Sequence, residues 1–168
     1  CFSSQKAIPL ASLSGSECLG EECLRGNIRF PLAEMSQPER IAITEDLLAL
    51  YGNKAMYDRI VGQFGSQHPF SLLLRSTERD IIDLKGVFDK YGVPVPIHTT
   101  SLKPLPPFSS VTGTCQLAID QELPTLSWRE KQCSLFETRP DILRWFDRRQ
   151  EKIRTQFLPV LETCALGK

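Results

Sequence analysis

The sequence predicts an all-α domain, a bundle of four helices, and three observations carry that expectation. Two stretches, 38–64 and 70–91, repeat apolar residues at steps of three, four and seven, the period of a helix with one buried face. Prolines crowd the segment 93–113, at Pro94, Pro96, Pro104, Pro106 and Pro107, and so divide these two helices from two later ones. Residues suited to start and stop helices stand at the expected ends.

Residues 1–35 are rich in Ser, Gly and short apolar pieces without sustained period, which predicts an irregular N-terminal arm, followed by the helical domain over 36–168. Ser36 can cap, Pro38 suits a first turn and Glu39 lies three residues on, as a capping box requires. The first helix then carries Ile43, Leu47, Leu50, Tyr57, Val61 and Phe64, with Gly52 and Asn53 expected to weaken or kink its middle. The second carries Phe70, Leu74, Thr77, Ile81, Leu84, Phe88 and Tyr91, a bundle-type seam. Gly92 and Pro94 stop it.

The proline-rich segment 93–113 reads as an extended crossover. A third helix is expected over 114–135, interrupted at Pro124. A fourth begins near "TRPD", with Thr138 as cap and Pro140 in the first turn, and places Ile142, Phe146, Ile153, Phe157, Val160 and Cys164 on one stripe. Pro159 should bend its last turns.

Composition narrows the function. A chain of 168 residues is enough for one ordinary domain with a real core. Twenty basic and twenty acidic residues cancel, which disfavours nucleic acid as a partner. No apolar run approaches the roughly 20 residues that span a bilayer. The chain opens at Cys1, which reads as a processed product.

Cysteines stand at 1, 18, 23, 115, 133 and 164, more than a reducing cytosol usually accommodates, so Cys1, Cys18, Cys23, Cys115, Cys133 and Cys164 are read as disulfide partners in a secreted, periplasmic or organelle-lumen protein. Cys18 and Cys23 lack a second close pair to complete a tetrahedral zinc site. A lipid anchor on Cys1 stands as the alternative, which would leave an odd number of thiols. Cys115 and Cys133 lie too far apart along one helix to bond, so Cys18 or Cys23 is expected to reach a cysteine of the third or fourth helix.

Two hairpins joined by a long crossover describe the ferritin-like bundle, whose di-iron centre takes Glu from two helices and Glu-x-x-His from the other two. The stretch "FSLLLRSTERDIIDLKGVFDKYG", residues 70–92, resembles the second helix of a poorly characterised bacterial ferritin-like domain family. Its pattern runs Phe-Ser, then Ser-Glu-x-x-His, then Lys-Tyr-Gly, and Phe70, Ser71, Ser76, Arg79, Lys90, Tyr91 and Gly92 match in register. The likeness is weaker over the first and fourth helices and absent over the first 35 residues. What it implies is a fold.

The same register implies a changed metal site. Thr77 stands at the family's Glu, Asp80 at its His, and Leu50 near its first-helix Glu. The histidines are His68 and His98, both beside prolines in expected loops, so a conventional di-iron site is not expected. Any metal, iron in the alternative reading, would fall to Glu78, Asp80, Asp83 and Glu122.

Lys54 and Arg149 lie on the apolar stripes of the first and fourth helices. A buried cation must be paired or it costs several kcal/mol, and the carboxylates in reach are Asp80, Asp83, Asp120 and Glu122. Ion pairs in place of metal are therefore one expectation, with Lys54, Asp80, Asp83 and Arg149 as the buried members and a Lys54 contact to Asp80 or Asp83. The other is that a kink near Gly52 turns these cations to the surface. Glu78, Asp80 and Asp83 as paired acid–base carboxylates, Trp128 and Trp145 as a binding surface, and the basic run 144–154 as an acidic-partner site are weaker readings than solvated flank, core and helix surface. No nucleophile elbow or phosphate loop is present.

The expected role is thus a non-catalytic structural or interaction protein outside the reducing cytosol, without cofactor, acting through protein partners or self-assembly. The alternative is a metal-binding oxidoreductase or metal-storage protein with an irregular carboxylate site, and a third reading is a small-ligand binder that uses the bundle cavity.

Overall fold

The computed structural model describes residues 32–66, 68–97 and 107–167. Expectations for the arm over 1–31, with Cys1, Cys18 and Cys23, and for the crossover over 98–106, with His98, lie outside the described residues.

All regular structure among the described residues is helical. Five α-helices follow one another: α1 Gln37–Phe64, α2 Phe70–Tyr91, α3 Val111–Gln132, α4 Pro140–Lys152 and α5 Leu158–Ala165. A 3₁₀ turn, Cys133–Phe136, follows α3, and a π turn, Ile153–Phe157, joins α4 to α5. No described helix is long and apolar enough to cross a membrane.

Local chemistry explains the boundaries. The Ser36 backbone N–H donates to Glu39 Oε2 at 2.6 Å and the Glu39 N–H to Ser36 Oγ at 3.4 Å, so the capping box starts α1. Gly92 ends α2 at φ 63°, in the left-handed region open to glycine, and the Val93 N–H reaches the Phe88 carbonyl at 2.9 Å. Pro159 has no N–H to donate, and the turn before it widens until the Leu158 N–H bonds the Ile153 carbonyl.

Three expectations are corrected. Helix α1 runs unbroken through Gly52 and Asn53 because Asn53 is a buried, hydrogen-bonded core residue. Helix α3 starts at Val111, capped by Ser110 Oγ on the Gly113 N–H, and runs through Pro124. Pro124 and Asp120 both face solvent, so the Asp120 carbonyl that Pro124 cannot serve is left to water. The N-cap of α4 is Arg139, not Thr138, with Pro140 at the first position.

Helix α1 packs mainly on α2, and α3 on α5, with α4 touching α2 and α3. The apolar core falls into two clusters. One gathers Met35, Ile43, Leu47, Leu50, Leu84, Phe88, Phe136, Ile142 and Phe146. The other gathers Met56, Tyr57, Ile60, Phe70, Leu73, Cys115, Leu126, Ile153, Phe157 and Leu161. Each fully buried Leu, Ile or Phe contributes about 1.5–3 kcal/mol. Met35, the last residue of the expected arm, belongs to the first cluster.

A disulfide ties α3 to α5, Cys115 to Cys164, with Cα atoms 6.0 Å apart. Cys133 is also disulfide-bonded.

Candidate functional site

The two apolar clusters change over partway along α1 and α2 and at the end of α4. On α1 the change falls between Leu50 and Met56, on α2 between Leu73 and Ile81, and from α4 into the π turn between Phe146 and Ile153. Buried polar residues fill that level: Asn53 from α1, Thr77 and Asp80 from α2, Glu122 and Arg129 from α3, and Arg149 from α4. Asp46 joins them from α1.

Arg149 is the hub. Its Nη1 lies 2.8 Å from Asp80 Oδ2, and its Nη2 lies 3.3 Å from Glu122 Oε1 and 3.5 Å from Glu122 Oε2. The flat guanidinium therefore joins two helices' carboxylates from a third helix, with Phe157 5.0 Å beneath it. Glu122 Oε1 also accepts from Tyr57 Oη at 3.0 Å and Asn53 Nδ2 at 3.1 Å. Lys152, at the edge, donates to Asp80 Oδ1 at 2.6 Å. Arg129 grips Asp46 Oδ1 through Nε at 2.8 Å and Nη2 at 2.7 Å, and stacks 5.9 Å from the Trp145 ring.

Three carboxylates, Asp46, Asp80 and Glu122, thus face three cations, Arg129, Arg149 and Lys152. The layer is charge-balanced, which is what makes burial of so many ions tolerable. Burial still pushes the Asp46 carboxyl above the usual carboxylate range against the pull of Arg129. Burial, aided by the Glu122 charge, pushes the Tyr57 phenol well above its ordinary value, so Tyr57 stays a neutral donor. Asp46 Oδ2, Thr77 Oγ1, Arg129 Nη1 and Arg149 Nε have no hydrogen-bond partner among the described residues.

Of the residues singled out in the sequence, Asp80, Glu122 and Arg149 come together here. Lys54 does not. It is a third exposed and pairs along the surface with Asp58 at 2.5 Å and Glu78 at 3.4 Å. Asp83 and Asp120 are exposed as well, and Asp120 accepts from Gln116 at 2.9 Å. The expected Lys54 contact to Asp80 or Asp83 is therefore corrected: the stripe of α1 passes through Asn53, one position earlier. Glu78, Asp80, Asp83 and Glu122 do not converge, since Glu78 and Asp83 are exposed while Asp80 and Glu122 are clasped by Arg149. Trp145 is core, Trp128 packs against it, and His68 is exposed.

Sequence reasoning missed Asp46, Asn53, Arg129 and Lys152. Helical spacing could have found them: Asp46 lies three after Ile43, and Arg129 three after Leu126 in the series 115, 119, 122, 126, 129.

The donor set does not fit the di-iron centre that the resemblance brings to mind. A guanidinium has no lone pair to give and stays charged, so Arg149 between Asp80 and Glu122 repels a divalent cation from the two nearest carboxylates. Among the described residues no group of three or more His, Cys, Asp or Glu side chains is arranged to hold a metal ion.

A second polar network caps one end. Arg139 pairs with Glu39 and lies 4.8 Å from the Tyr91 ring, while Asp141 accepts from Tyr91 Oη at 2.9 Å and Lys90 Nζ at 2.5 Å. Burial works against both carboxylates, but Arg139 and the Ser36 N–H hold Glu39 below its usual range, and Lys90 with Tyr91 does the same for Asp141.

No protein-family model, curated protein or solved structure matches this chain.

Proposed function

We propose that this chain is a ferritin-like helical bundle whose centre is held by ion pairs in place of metal, and that it serves as a non-catalytic structural or interaction protein outside the reducing cytosol. The observation that carries this reading is the charge-balanced layer at mid-bundle, in which Arg149 occupies the space between the carboxylates of Asp80 and Glu122. Such a layer is consumed by its own pairing. It offers no poised acid, base or nucleophile, because each carboxylate is already engaged by a cation and Tyr57 is held neutral. The Cys115–Cys164 disulfide supports a non-reducing setting. Polar layers of this kind favour one helix register over others, which suits a part that must present a fixed surface to partners or to further copies.

The test is aerobic incubation of the purified full chain with ferrous iron, followed by metal analysis and by light scattering on a sizing column. The expected result is no stoichiometric iron, manganese or zinc, together with a concentration-independent assembly state. Two transition-metal ions per chain with iron oxidation would overturn the reading in favour of a metal-dependent oxidoreductase.

A further inference from the structure

Beside the buried layer, between α2 and α4, lies a pocket of about 210 Å³ lined by Asp80, Asp83, Trp145, Arg148, Arg149 and Lys152. Its floor is spoken for: Asp80 is paired with both Arg149 and Lys152. Its rim is not. Asp83 on α2 and Arg148 on α4 are both exposed, and neither forms an ion pair with a described residue. The two walls therefore present opposite charges, carboxylates from α2 and cations from α4, with the edge of the largely buried Trp145 between them.

We propose that this pocket binds a small zwitterion of the α-amino-acid class, its ammonium toward Asp83 and the rim of Asp80, its carboxylate toward Arg148 and Lys152, and its apolar side chain against Trp145. The argument is complementarity. A simple anion would meet two carboxylates on one wall, and a simple cation would meet three basic groups on the other. A molecule carrying both charges at short separation satisfies both walls. The volume is about seven waters' share of liquid, below the range of drug-sized sites and right for a metabolite of this size. This inference goes beyond the structural role proposed above: Asp80 and Lys152 belong to the ion-pair layer as well, whereas Asp83 and Arg148 take no part in it, so variants at those two residues test the pocket alone.

The experiment titrates the full chain with L-leucine, L-alanine and L-phenylalanine, following Trp fluorescence and calorimetric heat. Isovalerate, isoamylamine and inorganic phosphate serve as single-charge probes. The expected result is saturable binding of at least one amino acid, with each single-charge probe at least about tenfold weaker, as loss of one charge-assisted contact predicts. Asp83→Asn and Arg148→Gln should each weaken that binding about tenfold or more while leaving the melting temperature unchanged, because both side chains are exposed and neither forms an ion pair with a described residue. Absence of saturable binding at millimolar amino acid overturns the proposal. So does equal binding of isovalerate or phosphate, which would mark a plain anion site, and so does binding that neither variant affects.

Discussion

Arg149 Nη2 and Glu122 Oε1 lie 3.3 Å apart with neither side chain more than 1% exposed, so protein groups rather than water solvate both charges: each the other, with Tyr57 and Asn53 at Glu122 and Asp80 at Arg149. Removing one partner strands the other. Arg149→Met should destabilise by about 3–5 kcal/mol, since Glu122 keeps only Tyr57 and Asn53 as donors. Adding Glu122→Gln to that variant should recover much of the loss, with a coupling energy of about 0.5–3 kcal/mol in a urea-denaturation cycle. Strict additivity of the two would show that the pair is not a unit.

The second buried pair differs in what it can do when broken. Asp46 has its carboxyl raised above the usual range by burial, so it can take up a proton if Arg129 is lost, whereas Arg129 cannot shed one if Asp46 is lost. Asp46→Leu should therefore cost more than Arg129→Met. The pH dependence has a fixed sign: a carboxyl raised in the folded state contributes stability below its unfolded value of 3.8 that is lost as pH rises through the folded value. In Arg129→Met this contribution grows, and the gap to the parent protein should narrow as pH falls through the raised folded value toward the unfolded value of 3.8. The Asp46→Leu/Arg129→Met double variant should be about as stable as the parent. A gap that widens in acid would refute the protonation argument.

Element ends were legible because they are written in single residues: Ser36 with Glu39, Gly92, and Pro140 act on the backbone next to them. The buried layer was half legible. Arg149 stood out because its stripe, from Phe146 to Ile153, is unambiguous, and Glu122 and Asp80 were within its reach. On α1 the seven-residue gap between Leu50 and Tyr57 can be bridged at +3 or +4, and period alone does not decide between Asn53 and Lys54. Burial decides it, because Asn53 can be satisfied by Glu122 while a Lys there would add a fourth cation to a balanced set. Pro124 hid the series on α3 that leads to Arg129. The contrast is measurable: Lys54→Met should change stability by no more than about 1 kcal/mol, the scale of exposed pairs.

Acid should weaken the end of the bundle before its centre. Glu39 and Asp141 have carboxyls held below their usual range, so their contribution is complete above the unfolded value and lost as pH falls through the folded one. For Glu39 the upper bound of that window is 4.5. Thermal melts between pH 6 and 3 should show falling stability, and Glu39→Gln, though less stable near neutrality, should show a shallower fall below that value. An unchanged slope would mean that the pair with Arg139 does not matter energetically.

The Cys115–Cys164 bond closes a loop of 49 residues that contains most of α3, all of α4 and the π turn. Chain entropy alone assigns a loop of that length about 4 kcal/mol, and native disulfides typically deliver about 2–4. Cys115→Ala/Cys164→Ala should therefore lower the unfolding free energy by about that much. The loss should also be local, because α5 is short and holds one fully buried residue of its own, Leu161, so the disulfide is a covalent tie added to its packing contact with α3. Hydrogen exchange in the double variant should quicken first in α5 and the adjoining turns of α3, while Leu84 to Phe88 of α2, in the other cluster, stay protected to nearly the global limit. Uniform acceleration along the whole chain would instead mean that the two clusters, and the ion-pair layer between them, unfold as one cooperative unit.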